Sequence, residues 1–265
     1  MKVVVHLHRR LIGDVETLIA HRDGFTMFVN PQDNCGGRLY YWGSYEPDET
    51  AYFKQVIHTL DPLLFVDIGA NIGYYTLIAA IRGVPRVIAV EAAPTLVATL
   101  ERNIAVNGFV GCRVRIVAAA ISNSNGHGPF WLNRQEHNFG TGSILKHQEI
   151  ADNQCIEIPC HTGDWLLDGV TEKSVLVKMD IEGGELLALQ GMRNALTRLR
   201  PTLLIETHPQ KLRALGQRPE QVVELLRSLN FSLSRLEGAK ETKLSRDDQF
   251  GSAIAWLVAR PMRTR

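Results

Sequence analysis

The stretch that decides the fold is Leu64-Phe-Val-Asp-Ile-Gly-Ala-Asn-Ile-Gly-Tyr74. Leu64 to Ile68 is a short aliphatic run, apolar on both faces, the pattern of a parallel strand buried between two layers. Asp67 is its one charge. Gly69 and Gly73 then frame a turn that opens the amphipathic run Tyr75 to Ile81, so the segment reads as strand, tight turn and helix. That unit is the nucleoside-facing corner of a doubly wound sheet. Gly69 lets the chain turn and a ligand approach, and Gly73 lets the helix pack on the strand.

The kind of nucleoside follows from what the turn lacks. A dinucleotide site uses G-x-G-x-x-G so that bare backbone can meet a pyrophosphate, whereas here Ala70 and Asn71 fill the middle of a Gly-x-x-x-Gly spacing. A P-loop needs Gly-Lys-Ser/Thr, and Tyr74-Tyr75-Thr76 is not that. Asp67 repels phosphate and suits a cationic amino-acid ligand. S-adenosylmethionine (SAM) has an ammonium, a sulfonium and no phosphate, so the charges agree. A second strand-like run, Arg86-Val-Ile-Ala-Val-Glu91, ends in an acid about twenty residues past the turn, where a carboxylate can accept both ribose hydroxyls.

At 265 residues with formal net charge +1 and interspersed acids and bases, the chain fits one α/β domain with extensions. It carries no basic footprint for nucleic acid and no polybasic membrane patch. The apolar run near Met1 is too short for a signal peptide, and no stretch reaches transmembrane length. The four cysteines, Cys35, Cys112, Cys155 and Cys160, form no C-x-x-C pair and have no His partner at zinc spacing. Reduced thiols in a cytoplasmic protein are the expectation.

Residues 1–58 read as a small β-rich cap, with short runs at Val3 to Leu7, Leu18 to His21 and Gly24 to Val29, and turns at Asn30-Pro31 and Cys35-Gly36-Gly37. His6, His8 and His21 in it read as surface or strand residues. A helix from Glu49 to Leu60 stops at Asp61-Pro62. Residues 59–265 then form the main domain. Strands are expected at 64–68, 87–91, 113–118, 175–180 and 202–206, and helices at 74–82, 94–107, 184–198 and 219–229. Strand–helix alternation implies parallel pairing with right-handed crossovers. Phe231 to Leu236 and Ser252 to Ala259 have no helix between them and must pair as an antiparallel hairpin. A parallel sheet closed in this way is the usual finish of SAM-dependent methyltransferases, so the expected fold is Rossmann-like, of the class I methyltransferase type, with a mostly parallel seven-stranded sheet and a C-terminal antiparallel hairpin strand. The long connection 121–164 reads as a lid and substrate segment in which Trp131, His137 and Phe139 are candidate pocket residues. Asn103 and Asn107 flank a helix end, where capping is the plain reading.

These elements together resemble the FkbM family of SAM-dependent methyltransferases, from about Gly43 to Arg260. The resemblance rests on Val66-Asp-Ile-Gly-Ala-Asn-Ile-Gly73, Val90-Glu91-Ala-Ala-Pro94, Ala118-Ala-Ala-Ile-Ser122, Lys178-Met-Asp180-Ile-Glu182-Gly-Gly-Glu185 and Arg200-Pro201 through Glu206-Thr-His208. The glycine turn is widely shared, and the Lys-x-Asp-x-Glu-Gly-x-Glu element is the specific one. Gly184, where Ala is common, and Thr162-Gly163-Asp164 depart from the family pattern. The resemblance implies O-methylation of a hydroxyl on a sugar or polyketide-type acceptor. The expected cofactor contacts are Asp67, Gly69, Ala70, Asn71, Gly73, Tyr74, Glu91, Ala92, Ala119 and Asp180.

Methyl transfer asks the protein to align the acceptor oxygen, exclude water and accept a proton. The acids Asp180, Glu182 and Glu185 follow one strand, and Glu206 and His208 follow the next, so they meet on the rim where open α/β sheets bind ligands. The expected catalytic residues are His208, Asp180, Glu182 and Lys178. His208 is the expected base, since an ordinary imidazole titrates near roughly 6.5. Lys178 reads equally as a charge partner for the carboxylates, and Glu185 as a helix-dipole acid. Asp180, Glu182, Glu206 and His208 are acceptable ligands for a divalent cation, but methyl transfer needs no Lewis acid and no metal is expected. The partners expected are a small-molecule or glycan acceptor and a second copy of the chain, with neither nucleic acid nor a membrane. Competing readings are a nucleic-acid or protein methyltransferase, a non-catalytic SAM-binding protein and a dinucleotide oxidoreductase. The first lacks an Asn/Asp-Pro-Pro-aromatic element, and the last has the wrong turn spacing.

Overall fold

The computed structural model describes residues 15–108, 113–133, 142, 153–245 and 251–262. The chain opens with a two-stranded antiparallel hairpin, β1 (Thr17–Ala20) and β2 (Thr26–Val29), followed by α1 (Asn34–Trp42) and α2 (Pro47–Leu60). The alternating core is β3 (Leu64–Ile68), α3 (Tyr74–Ile81), β4 (Arg86–Glu91), α4 (Pro94–Val106) and β5 (Val114–Ala118). Three strands follow, β6 (Ala120–Ser122), β7 (Gly126–Asn133) and β8 (Asn153–Thr162), then the short α5 (Gly163–Leu166). The second half is β9 (Val175–Met179), α6 (Glu185–Gln190), α7 (Arg193–Leu199), β10 (Thr202–Thr207), α8 (Pro209–Ala214) and α9 (Glu220–Ser228). It closes with β11 (Phe231–Glu237), β12 (Lys240–Lys243) and β13 (Ala255–Pro261).

The main sheet has eight strands in the order β12-β11-β13-β10-β9-β3-β4-β5. Pairing is parallel from β10 through β9, β3 and β4 to β5, and antiparallel from β10 through β13 and β11 to β12. This is the expected fold with one addition: the charged loop between the last two β-like runs contains the exposed edge strand β12. Its Lys-Glu-Thr-Lys sequence has no apolar face to betray it, and such polarity protects an edge from further pairing. The chain order reverses between β3 and β9, so the crevice of an open α/β sheet lies beyond their carboxyl ends.

Both central strands are buried along their whole length, and the pleat sends alternate residues to opposite layers. Leu64, Val66 and Ile68 join Leu189 and Met192 on one side, whereas on the other Phe65 meets Phe53, which in turn packs on Tyr75. Asp67 lies on the Phe65 side by that alternation.

The N-terminal cap is less β-rich than its sequence suggests. Cys35-Gly36-Gly37, expected as a turn, lies in α1, because Asp33 caps the helix through the amides of Cys35 and Gly36 at 3.1 and 3.2 Å. Gly36 is needed there, since a Cβ would stand 2.3 Å from the Asn30 carbonyl oxygen. His21 is not on the surface: it is buried, stacks on Phe25 at 4.6 Å and faces the Gly43 carbonyl through Nε2 at 3.1 Å. Asn103 and Asn107 are not simple caps. Asn103 is fully buried, accepts from the Phe28 amide at 2.6 Å and donates to the carbonyls of Phe28 and Ile72. Asn107 does the same for the Thr26 amide and carbonyl. Four residues apart on one helix face, they serve β2 as a neighbouring strand would.

The expected helix over 184–198 breaks at Gly191. A Cβ there would lie 2.1 Å from the Ser122 carbonyl oxygen, so the backbone of β6 passes where a helix would carry a side chain. The connection 121–164 contributes a separate three-stranded sheet, β6-β8-β7, with β7 and β8 antiparallel. His6, His8, Cys112, His137 and Phe139 lie outside the described residues. Among the described residues, Cys35, Cys155 and Cys160 are free thiols, and no helix is long and apolar enough to cross a membrane.

Candidate active site

The turns after β3, β4, β9 and β10 converge. Gly69 adopts φ +80°, and its amide and that of Ala70 both donate to the Val90 carbonyl at 2.9 Å. A Cβ on Gly69 would fall 1.8 Å from the Asp180 carbonyl oxygen, so the turns after β3 and β9 meet through bare backbone. Glu91 ends β4 with Oε2 accepting from the Asn71 amide at 2.8 Å and Oε1 accepting from the Ala92 and Ala93 amides at 2.9 Å. Burial pushes its carboxyl above the ordinary range, and the three amides oppose that shift. Three of about four acceptor positions on the carboxylate are taken, which leaves Oε2 room for one further donor rather than a grip on two hydroxyls.

Of the residues expected to contact the cofactor, Gly69, Asn71, Glu91, Ala92, Ala119 and Asp180 line one cavity. Phe130, Gly142, Ile181 and Glu182 are among the other residues that line it. Phe130 was not among the candidates; its signal is the alternation of β7, where Phe130 is buried and Trp131 only half-buried. Four expected contacts fall outside this lining. Ala70 and Gly73 shape the turn. Tyr74 packs edge-on against Phe25, Tyr45 and Tyr75. Asp67 is fully buried, and its Oδ2 accepts from Thr76 Oγ1 at 2.7 Å while Oδ1 lies 3.8 Å from Lys178 Nζ. The pleat accounts for this: one residue before the turn, the Asp67 side chain points into the α2–α3 layer and away from the cavity.

Lys178 is the register partner of Asp67 and occupies the same layer. Its Nζ lies 3.6 Å from Asp180 Oδ2, 3.4 Å from the Gly69 carbonyl and 5.0 Å above the Tyr75 ring. Burial disfavours its charge, yet Asp180 and Asp67 together hold its pKa above the usual value. It is the charge partner of the rim. Burial likewise pushes Asp180 up, but Lys178 and then His208 bring its pKa below the usual carboxylate range.

A second cavity adjoins the first. Asn71, Asp180 and Glu182 line both, and beyond them the second is lined by Glu206, His208 and Lys211 and, from the N-terminal segment, by Tyr45 and Glu46. Glu206 is pushed up to about 9 by burial and by the carboxylates of Asp180 and Glu46, so at neutral pH it is protonated and hydrogen-bonds Asp180. Glu182, in the left-handed region at φ 56°, faces His208 Nε2 at 3.3 Å and accepts from Lys211 Nζ. Asp180, Glu182 and His208 bring potential ligand atoms within 4.8 Å of one another. Lys178 and Lys211 already stand against the two carboxylates among them.

His208 is not placed as a free base. Nδ1 lies 2.9 Å from Glu185 Oε1, and Nε2 faces Glu182 and, at 3.9 Å, Glu206. Burial works against its charge, but the Glu185 hydrogen bond and the surrounding carboxylates raise its pKa to about 9. At neutral pH the ring is an imidazolium with both nitrogens donating, and it has no lone pair for a hydroxyl proton. Glu185 does stand in the first turn of α6, as its sequence position suggests, and is in addition the carboxylate that faces His208. It is fully buried at the start of α6, where Oε1 also accepts from the Gly183 amide at 2.8 Å.

A sequence profile described as the Methyltransferase FkbM domain matches residues 67–233. No functionally curated protein matches the sequence. Similar solved structures include a Methyltransferase FkbM from Methylobacillus flagellatus, 20% identical with TM-score 0.47 over 75% of this chain and 44% of that one. This chain thus spans less than half the length of that protein. An O-methyltransferase from Bacillus cereus in complex with SAH is 12% identical, with TM-score 0.48 over 83% of each chain. TYW2 of P. horikoshii in complex with MeSAdo is 13% identical, with TM-score 0.46 over 97% of this chain and 81% of that one. Because the profile spans more than half of the chain, from the glycine turn through both acidic strand ends, this protein belongs to the FkbM methyltransferase family.

Proposed function

We propose that this protein is a SAM-dependent O-methyltransferase acting on a hydroxyl of a small molecule or glycan. One observation carries the reading: the cavity beside the Gly69 turn and Glu91 adjoins a polar cavity and shares Asn71, Asp180 and Glu182 with it. The residues fit SAM. The small lining residues Ala92 and Ala119 and the open acceptor position on Glu91 suit an adenosine moiety, and the ionised Asp180 suits the cationic end of the cofactor. Bound there, SAM supplies an electrophilic methyl group, and the organic chemistry is its own.

The chain's residues do the rest. Glu91 holds the nucleoside through its open acceptor position, and the amides of the Gly69 turn, which are bonded to Val90 and Glu91, fix the shape of the cavity around it. The second cavity holds the acceptor and aligns its hydroxyl, a contribution of about 7–11 kcal/mol at best. Asp180 takes the base role that His208 cannot fill. It is the ionised member of a carboxyl pair with Glu206, it lines both cavities, and a positioned base contributes on the order of 10²–10⁴ in rate. Lys178 fixes Asp180, and the Glu185–His208–Glu182 chain fixes Glu182 beside it.

Calorimetric titration tests the cofactor: SAM should bind and NAD should not. Transfer of a labelled methyl group to hydroxylated small molecules tests the reaction. An alkali-stable ether product supports it, whereas label released as methanol by mild alkali would identify a carboxyl acceptor instead.

A further inference from the structure

The second cavity is closed on one side by a segment that precedes the matched family residues 67–233. Glu46 stands at the start of α2, yet its side chain caps nothing. Its backbone sits in the left-handed region at φ 45°, a conformation that L residues with side chains occupy only where the surroundings enforce it. The helix geometry uses its carbonyl, which accepts from the Thr50 amide at 2.8 Å. Its carboxyl turns the other way, where Oε2 accepts from the Tyr75 hydroxyl at 2.8 Å. The Tyr75 ring in turn lies under Lys178, which faces Asp180. Glu46 is therefore held in the lining that it shares with Glu206 and His208 by the same chain of contacts that positions the junction carboxylate.

The cavity's chemistry narrows what it can take. All of its lining side chains except Cys35 and Ile254 carry strong hydrogen-bonding groups, and its acids stand against Lys178, Lys211 and His208. A flat aromatic or long apolar acceptor would leave those groups desolvated and unpaired. A ligand with several neighbouring hydroxyls, each both donor and acceptor, pairs with them without adding charge.

Resting on the methyl-transfer reading above, we propose that Glu46 is a specificity-determining residue that binds a hydroxyl next to the methylated one on a polyhydroxylated, sugar-like acceptor. The N-terminal segment is then part of the acceptor site as well as a cover for the core.

The test uses the full chain, SAM labelled in the methyl group, a panel of methyl glycosides with their monodeoxy derivatives, and catechol with simple phenols. Wild type, E46Q and E46A are compared, with SAM affinity measured by calorimetry. E46Q keeps an amide oxygen to accept from Tyr75, so its melting temperature should match the wild type. The expected result is transfer to glycosides and not to phenols, unchanged SAM affinity in both variants, and a KM for the glycoside raised tenfold or more in E46Q. A glycoside lacking the neighbouring hydroxyl should show no difference between wild type and E46Q. Transfer to phenols alone, or to no glycoside while SAM binds, overturns the acceptor class. Wild-type kcat/KM in E46Q, or an equal penalty on the deoxy glycoside, reduces Glu46 to a structural partner of Tyr75. Failure of the wild type to bind SAM is a separate outcome that removes the methyl-transfer reading and this proposal with it.

Discussion

Glu185 and His208 lie 23 residues apart and meet at 2.9 Å, Oε1 to Nδ1, with both side chains buried. A buried carboxylate against one ring nitrogen and a second carboxylate against the other makes the imidazolium a structural cation of the site. The folded-state pKa of about 9 lies above the roughly 6.5 of an unfolded histidine. The folded state therefore holds this proton more tightly, and the stabilisation is fully present below about pH 6.5 and lost as pH rises through about 9. The difference in denaturation midpoint between wild type and Glu185→Gln should be largest near pH 6 and close toward pH 10. A constant gap would mean that the pair contributes packing alone. The pH–rate profile should likewise lack an inflection near 6.5.

Removing the cation beneath the rim should be costly. Lys178→Met leaves the carboxylates of Asp67 and Asp180 facing one another without their shared ammonium. Breaking one side of a buried ion pair typically costs about 3–5 kcal/mol, which chemical denaturation would read directly. Asp67→Asn added to Lys178→Met should recover part of the loss, because one uncompensated charge disappears.

Gly69→Ala puts a methyl group 1.8 Å from the Asp180 carbonyl oxygen and asks an alanine to adopt φ +80°. The left-handed backbone alone costs roughly 1–2 kcal/mol, and the collision must part the turns after β3 and β9. Lower stability together with at least a tenfold loss of SAM affinity in calorimetry is the expected outcome. Retained affinity would show that the cofactor does not depend on the close approach of these turns.

Asn103→Ala should loosen the N-terminal hairpin. It strips partners from the Phe28 amide and from the carbonyls of Phe28 and Ile72, and an orphaned buried polar group costs about 1–3 kcal/mol. Native-state hydrogen exchange should speed up at Thr26 and Phe28 before the central strands respond. Uniform acceleration across the sheet would instead mean that the hairpin unfolds only with the whole protein.

The parallel core was legible in the chain because its signals are local. The apolar run Leu64 to Ile68, the glycines at 69 and 73, and the acids that end the next strands each state their role within a few residues, and β3 begins and ends where its composition changes. Strand alternation also brought Gly69, Asn71, Glu91, Ala92, Ala119 and Asp180 to one cavity, since strand ends in a doubly wound sheet share an edge. Side-chain direction and charge state required the tertiary structure. The alternation of β3 around Phe65 takes Asp67 away from the cavity, although its position next to the turn points to the ligand. The break at Gly191 comes from the backbone of Ser122, far away in sequence. The protonation of His208 comes from Glu185 and then Asp180, and Tyr45 and Glu46 reach the lining of the second cavity from a distant part of the chain. Composition and spacing report which residues stand at a strand end. Burial, and the neighbours that only folding assembles, decide which way they face and whether they carry charge.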